Sequence, residues 1–280
     1  MYLAHFGFAQ YPFHLTPNTE LFLGLAPHYE AIQTVTSALD MGEGVITVTG
    51  EVGTGKTMVC RMLMALFAEH IQLVYLPNPL LSDIELRQAI AQELGIERFD
   101  QVSIVDDIQA RLIELHRAQK QVVVLVDEAQ ALSDNAIEAL RLFGNLETAQ
   151  HKLMHIVLFG QPELDERLAQ HHLRQFRQRI SFRAQLRALT LQESVAYIDN
   201  RLQHSGAQGE ILTLNHKRAI WRASRGIPRL INQICHKALL STYFCRQARV
   251  HNLALFDAIN DTVDSRKPKF KRPLLWGWSH

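Results

Sequence analysis

Apolar residues along this 280-residue chain fall into two periods, and the place where one gives way to the other divides it. The β-branched run Val45-Ile46-Thr47-Val48-Thr49 and the runs at 72–76, 122–126 and 154–159 are nearly continuous in apolar residues, the pattern of strands covered on both faces, and 180–186 is expected as a final strand. Between them apolar positions return every three or four residues. That predicts helices over 56–69, 82–94, 104–118 and 133–146, with another ahead of the last strand. The alternation indicates an α/β class, a parallel five-stranded sheet sandwiched by helices. After Leu189 the strand runs stop, and helices are expected near 191–204, 214–224, 228–246 and 252–264. Gly226 follows one of these, Pro228 suits the first turn of the next, and Asn252 is placed to cap the last. An aromatic arm, Phe6-Gly7-Phe8 with Tyr11-Pro12-Phe13, precedes a helical pattern around residues 29–39 and is expected to be buried by packing. Residues 1–188 are therefore read as an α/β domain carrying the arm, 189–265 as a small helical domain, and 266–280 as a basic and aromatic tail.

The candidate chemistry lies where the first strand meets the first helix. Gly50-Glu51-Val52-Gly53-Thr54-Gly55-Lys56-Thr57 has the spacing of a phosphate-binding P-loop. Gly50, Gly53 and Gly55 let the backbone bend tightly and aim successive N–H groups at phosphate oxygens. Lys56 is expected to reach the β- and γ-phosphates, and the Thr57 hydroxyl to hold Mg2+. A second motif ends the run 122–126 in Asp127-Glu128. A carboxylate at a strand's C-terminal end can reach the Mg2+ water shell, and its neighbour can orient and deprotonate a water attacking the γ-phosphate. Asp127 is thus the expected metal-side acid and Glu128 the expected base. ATP or ADP with Mg2+ is the implied ligand set.

Composition changes this picture little. With 47% hydrophobic and 20% charged residues and a net charge of +1, the chain reads as an ordinary soluble protein with no global field for nucleic acid or membrane. Cys60, Cys235 and Cys245 are odd in number, far apart and set in apolar helical patterns, so they are expected as reduced core residues of a cytoplasmic protein. No segment approaches the roughly 18 apolar residues of a membrane span, and the first residues lack a signal-peptide pattern. The histidines show no ligand spacing, and His171-His172 lie on a polar stretch.

A P-loop domain followed by a helical lid resembles the AAA+ ATPases. A narrower resemblance is carried by Leu158-Phe159-Gly160-Gln161-Pro162-Glu163-Leu164, Leu142-Phe143-Gly144-Asn145-Leu146-Glu147-Thr148, Arg179-Ile180, Tyr197-Ile198-Asp199-Asn200-Arg201-Leu202 and Gly226-Ile227-Pro228-Arg229-Leu230-Ile231-Asn232. The opening residues join them, Phe6-Gly7-Phe8, Pro12-Phe13 and Leu15-Thr16-Pro17. Together they are similar to the ExeA/GspA-type secretion ATPases over roughly residues 1–265. The resemblance implies an ATPase that assembles with copies of itself, shares ATP sites between subunits, and serves pilus or type II secretion assembly proteins at the inner membrane. Proteins of that type continue into a membrane helix and a peptidoglycan-binding domain; peptidoglycan binding is not carried over.

Further roles follow from the resemblance. Arg174, Arg177 and Arg179 stand where such proteins carry the finger for a neighbour's ATP, with Arg179 leading and Arg177 second. Arg229 resembles the lid arginine that closes on the γ-phosphate, and Gln161 takes the sensor position usually held by Asn, Thr or Ser. Asn78 either bonds Glu128 or makes a turn between two prolines. The tail Arg266-Lys267-Pro268-Lys269-Phe270-Lys271-Arg272-Pro273-Leu274-Leu275-Trp276-Gly277-Trp278 suits an anionic membrane surface, a partner or DNA phosphates, or is an unstructured end. The alternatives of a different class are a DNA-binding AAA+ regulator of the TniB type and a nucleotide-gated scaffold with negligible hydrolysis.

Overall fold

The computed structural model describes residues 2–16, 22–67, 71–77, 80–97, 100, 102–148 and 151–268. They divide into two compact units. The first holds 26–52 and 56–186; the second gathers the N-terminal arm with its short helix α1 (Leu3–Phe6), Gly53–Gly55, and the chain from Arg187 onward.

The first unit runs α2 (Ala26–Asp40), β1 (Val45–Gly50), α3 (Lys56–Phe67), β2 (Ile71–Leu76), α4 (Asp83–Glu93), α5 (Ile104–Arg117) and β3 (Gln121–Val126). A 3-10 turn (Ala129–Ala131) leads to α6 (Asp134–Phe143), β4 (His155–Gly160), α7 (Pro162–Leu168), α8 (Arg174–Arg177) and β5 (Ile180–Leu186). The five strands form one parallel sheet in the order β2-β3-β4-β1-β5. Burial explains the unequal apolar runs. β1 and β4 are buried at every residue, whereas the edge strands β2 and β5 are only partly covered and admit polar residues such as Gln72 and Arg183. Helix starts are set by side chains: Ser82 and Glu85 form a reciprocal capping box at α4, and Ser133 accepts from the Ala136 N–H at α6. The pairing brings Gly50 level with Leu186, and Val126 level with Leu158. The C-terminal ends of β1, β3 and β4 thus share one edge of the sheet, where open parallel sheets bind ligands.

The second unit packs α9 (Leu191–His204), α10 (Leu214–Ser224), α11 (Pro228–Phe244) and α12 (Asn252–Asp261). Its core includes Tyr2, Phe6, Phe8 and Phe13 of the arm with Ile231, Ile234, Cys235 and Leu239 of α11. The Tyr2 hydroxyl is hydrogen-bonded to His236 Nδ1 at 2.9 Å. The arm, expected with the α/β domain, therefore counts with the helices, because its rings find their apolar partners on α11. Three further positions depart from expectation. Cys60 and Cys235 are buried but Cys245 is exposed, one residue beyond the end of α11. His251, not Asn252, precedes α12 as its cap residue, and Asn252 Oδ1 instead accepts from His216 Nε2 at 2.9 Å. The folded chain also continues past 265: the Arg266 N–H donates to Ala223 O at 2.8 Å. Lys267 Nζ donates to the carbonyls of Ile259, Asn260 and Thr262 at 2.9, 2.8 and 2.5 Å, placing a cation on the C-terminal end of α12. Lys269–Trp278 of the tail, Pro17 and Asn78 lie outside the described residues. Among the described residues no helix is long and apolar enough to cross a membrane.

Gly226 joins the start of the helical unit to its third helix. Its φ is +77°, and a Cβ there would meet Leu189 O at 2.1 Å, while Leu189 N–H already donates to Gly226 O at 2.9 Å. Gly209, at φ +91°, has open space where its Cβ would go. Gly226→Ala is expected to destabilise the protein by about 2–4 kcal/mol, from left-handed strain plus a clash with backbone that cannot rotate away; Gly209→Ala carries only the strain, about 1 kcal/mol. Thermal unfolding of the two variants checks the difference, and equal melting temperatures would refute it.

Candidate functional site

Residues 50–57 leave β1 and enter α3 through a turn in which Gly53 and Gly55 take φ values of +84° and +106°. Such backbone turns successive N–H groups to one side, where an anion can be bound. Gly53 is constrained twice, since a Cβ would also meet Arg229 Cβ at 2.6 Å, and the Arg229 N–H donates to Gly53 O at 3.2 Å. Glu51 and Val52 are exposed, Thr54 is buried, and Arg229 is exposed at the first turn of α11. Lys56 is only 6% exposed. Its ammonium donates to Gly50 O at 2.7 Å and Glu51 O at 3.1 Å. Burial pushes the Lys56 pKa down, and the carboxylates of Glu128, Asp127, Glu51 and Glu163 oppose that shift.

At the end of β3, Asp127 is buried and accepts from the Thr57 hydroxyl and, at 2.9 Å, from the Glu128 N–H. Burial raises the Asp127 pKa, and these two hydrogen bonds hold it back. Glu128 has a left-handed backbone, φ +53°, which for a non-glycine residue costs energy and occurs mostly where a side chain must be aimed. Its Oε2 accepts from Gln130 Nε2 at 2.5 Å and from Gln161 Nε2 at 3.2 Å. The Gln161 N–H in turn donates to Gln130 Oε1 at 3.1 Å. Lys56, Thr57, Asp127, Glu128 and Gln161, nominated separately from the sequence, thus meet at one edge of the sheet. Gln130 was missed; the signal available was an amide two residues beyond a candidate base on the same turn. A bound Mg2+ fits the donors that the chain offers here: Thr57 and Asp127 present oxygen only, and a buried carboxylate is eased by a cation.

The remaining arginines are elsewhere. Arg174, Arg177 and Arg179 are all exposed, and Arg177 reaches back to Ala169 O at 3.5 Å. Arg179 immediately precedes β5, at the strand end opposite the loop: Ile180 pairs with Val45 at the start of β1, while Leu186 pairs with Gly50.

A family model described as an AAA domain matches residues 39–168. General secretion pathway protein A of Aeromonas hydrophila is 40% identical over 247 residues, which cover 87% of this chain and 45% of that protein. The chain therefore spans less than half the length of that relative. Solved structures share the fold at low identity. Cdc6p of Pyrobaculum aerophilum matches 91% of the chain and 70% of its own, with a TM-score of 0.65 at 16% identity. The ORC2 protein of Aeropyrum pernix, solved as ADPNP-ADP complexes, matches 85% of this chain and 68% of its own, with a TM-score of 0.63 at 15% identity. RuvB of Thermotoga maritima, a Holliday junction branch migration motor, covers 90% of this chain and 73% of its own, with a TM-score of 0.55 at 15% identity. The P-loop sheet, its helical companion and the extent of the alignment to protein A agree: the chain belongs to the ExeA/GspA family of AAA+ proteins.

Proposed function

We propose that this protein binds ATP with Mg2+, hydrolyses it to ADP and phosphate, and uses the cycle to support assembly of a type II secretion machine or a type IV, MSHA-like pilus at the inner membrane. The observation that carries the reading is the meeting of the loop, Lys56, Thr57, Asp127 and Glu128 at the C-terminal ends of β1 and β3. The turned N–H groups and Lys56 cradle the phosphates, with Lys56 exchanging its carbonyl partners for phosphate oxygens. Thr57 and Asp127 would hold the metal, which would supply positive charge to offset that of the phosphates. Glu128 orients a water and takes its proton as the water's oxygen bonds to phosphorus and the bridging oxygen leaves with ADP. Gln161 and Arg229 respond to the γ-phosphate, and Arg179 serves the site of a neighbouring copy.

The secretion or pilus partner rests on the likeness to general secretion pathway protein A of Aeromonas hydrophila and on the family. We place the protein on the cytoplasmic side, and from the sequence alone Lys269, Lys271 and Arg272 would suit an anionic membrane surface. The test has two arms: phosphate release by the purified protein, and its recovery with inner-membrane assembly proteins from solubilised membranes. Turnover together with that recovery is the expected result. Turnover with strong, salt-dependent DNA affinity and no such recovery would favour the DNA-regulator alternative, and binding without turnover the scaffold.

A further inference from the structure

We infer that Gln130 is a positioning residue for Glu128: its amide forms a bracket between the candidate base and the end of β4, fixing where the carboxylate points. The inference deepens the hydrolytic reading above and rests on Glu128 being the base. Gln130 Oε1 accepts from the Gln161 N–H at 3.1 Å, a backbone group between the end of β4 and the start of α7. An amide whose oxygen is so engaged has only its NH2 left to offer on the other side, and Glu128 Oε2 receives it at 2.5 Å. The reverse orientation would set two acceptors against each other at Glu128 and two donors at Gln161. One amide orientation therefore satisfies both ends.

The bracket is itself anchored. Arg167 Nη1 on α7 donates to Gln130 O at 3.1 Å and also to Leu132 O, while its Nη2 pairs with Asp134. The turn carrying Gln130 is thus tied to α7 and to the start of α6. The backbone of Glu128 is held on both sides, its N–H by Asp127 and its carbonyl by the Ala131 N–H at 2.9 Å, but it is left-handed, and among the described residues its carboxylate is met besides Gln130 by the 3.2 Å bond from Gln161 Nε2. Gln161 is also the residue expected to turn toward the γ-phosphate, so Gln130 supplies the contact that stays. A base must be held close to its productive geometry, and a displacement of about 1 Å costs up to about a hundredfold in rate.

The test compares Gln130→Ala and Gln130→Glu in the wild-type chain and in Glu128→Gln, with kcat and KM for ATP and the melting temperature measured for each. Gln130→Glu keeps shape and the acceptor toward Gln161 while replacing the donor toward Glu128, so it remains informative where Gln130→Ala fails to fold. In the wild-type background both are expected to lower kcat about ten- to a hundredfold with KM changed less than about twofold. In Glu128→Gln they should change the residual rate less than about twofold, because a residue acting through Glu128 has nothing left to position. Unchanged kcat, or equal losses in both backgrounds, would overturn the inference while leaving the base in place. Full turnover by Glu128→Gln alone, or none by the wild-type chain, would instead remove the hydrolytic reading and this inference with it.

Discussion

Lys56→Ala is expected to lose ATP binding, and Glu128→Gln to bind ATP normally yet stop turning it over. The two residues stand within one site but act at different stages. Lys56 is buried against the loop carbonyls, where charge-assisted bonds to phosphate would replace those to Gly50 O and Glu51 O. Two such bonds at about 1.5–3 kcal/mol each correspond to a weakening of roughly a hundredfold to ten-thousandfold on their removal. The alanine also leaves Asp127 and Glu128 without the ammonium that offsets them, so circular dichroism and a melting curve should accompany the binding measurement. Glu128 makes its contribution only when the water is activated. Replacing it by an isosteric amide preserves the neighbouring contacts in shape and should lower kcat by about 10²–10⁴ with nucleotide affinity unchanged. Titration with a fluorescent ATP analogue, alongside phosphate release, separates the two outcomes. Wild-type turnover by Glu128→Gln would reassign the base; undiminished binding by Lys56→Ala would move the phosphate site away from this loop.

Much of this arrangement is legible in the chain because it depends on short-range pattern. β1 and β4 read as unbroken apolar runs because both faces are covered, and the loop reads as a phosphate cradle because Gly53 and Gly55 supply backbone that side-chain-bearing residues avoid. The features that escaped are those decided by distant partners. Tyr2 bonds His236 across 234 residues, so nothing near the arm announces that it belongs with α11. Asn252 suits a cap by composition, yet its side chain is claimed by His216, 36 residues away. Lys267 reads as one more cation of a basic tail, whereas the carbonyls at the end of α12 draw it into the fold. Gln130 escaped for a different reason. One partner, Glu128, is two residues away, but the other, Gln161, is 31 residues away, so the amide takes on a role only once strand pairing brings Gln161 beside Glu128.

Arg179→Ala is expected to lower kcat about a thousandfold or more, and to be rescued in part by a chain that is itself inactive. An arginine finger contributes about 10³–10⁵ to phosphoryl transfer. Arg179 cannot supply that to its own site. It lies beside Ile180 at the start of β5, and the loop follows Gly50 opposite Leu186, six residues along the strand. At about 3.3 Å per residue that separation is about 20 Å, farther than an arginine side chain spans. Arg179 is exposed at the strand's N-terminal end, so a finger role would require a neighbouring copy's loop, whereas Arg177 is engaged with Ala169 O on its own chain. Mixing Arg179→Ala with Lys56→Ala at equal concentrations should therefore restore activity, because Lys56→Ala chains present an intact Arg179 to the intact loop of their Arg179→Ala neighbours. With random head-to-tail assembly, about one interface in four is then complete. Turnover of the mixture should rise more steeply than linearly with total protein, as assembly builds the interfaces. Absence of recovery at concentrations where sedimentation shows the two chains in one assembly would assign the finger to another residue, with Arg177 the next to test.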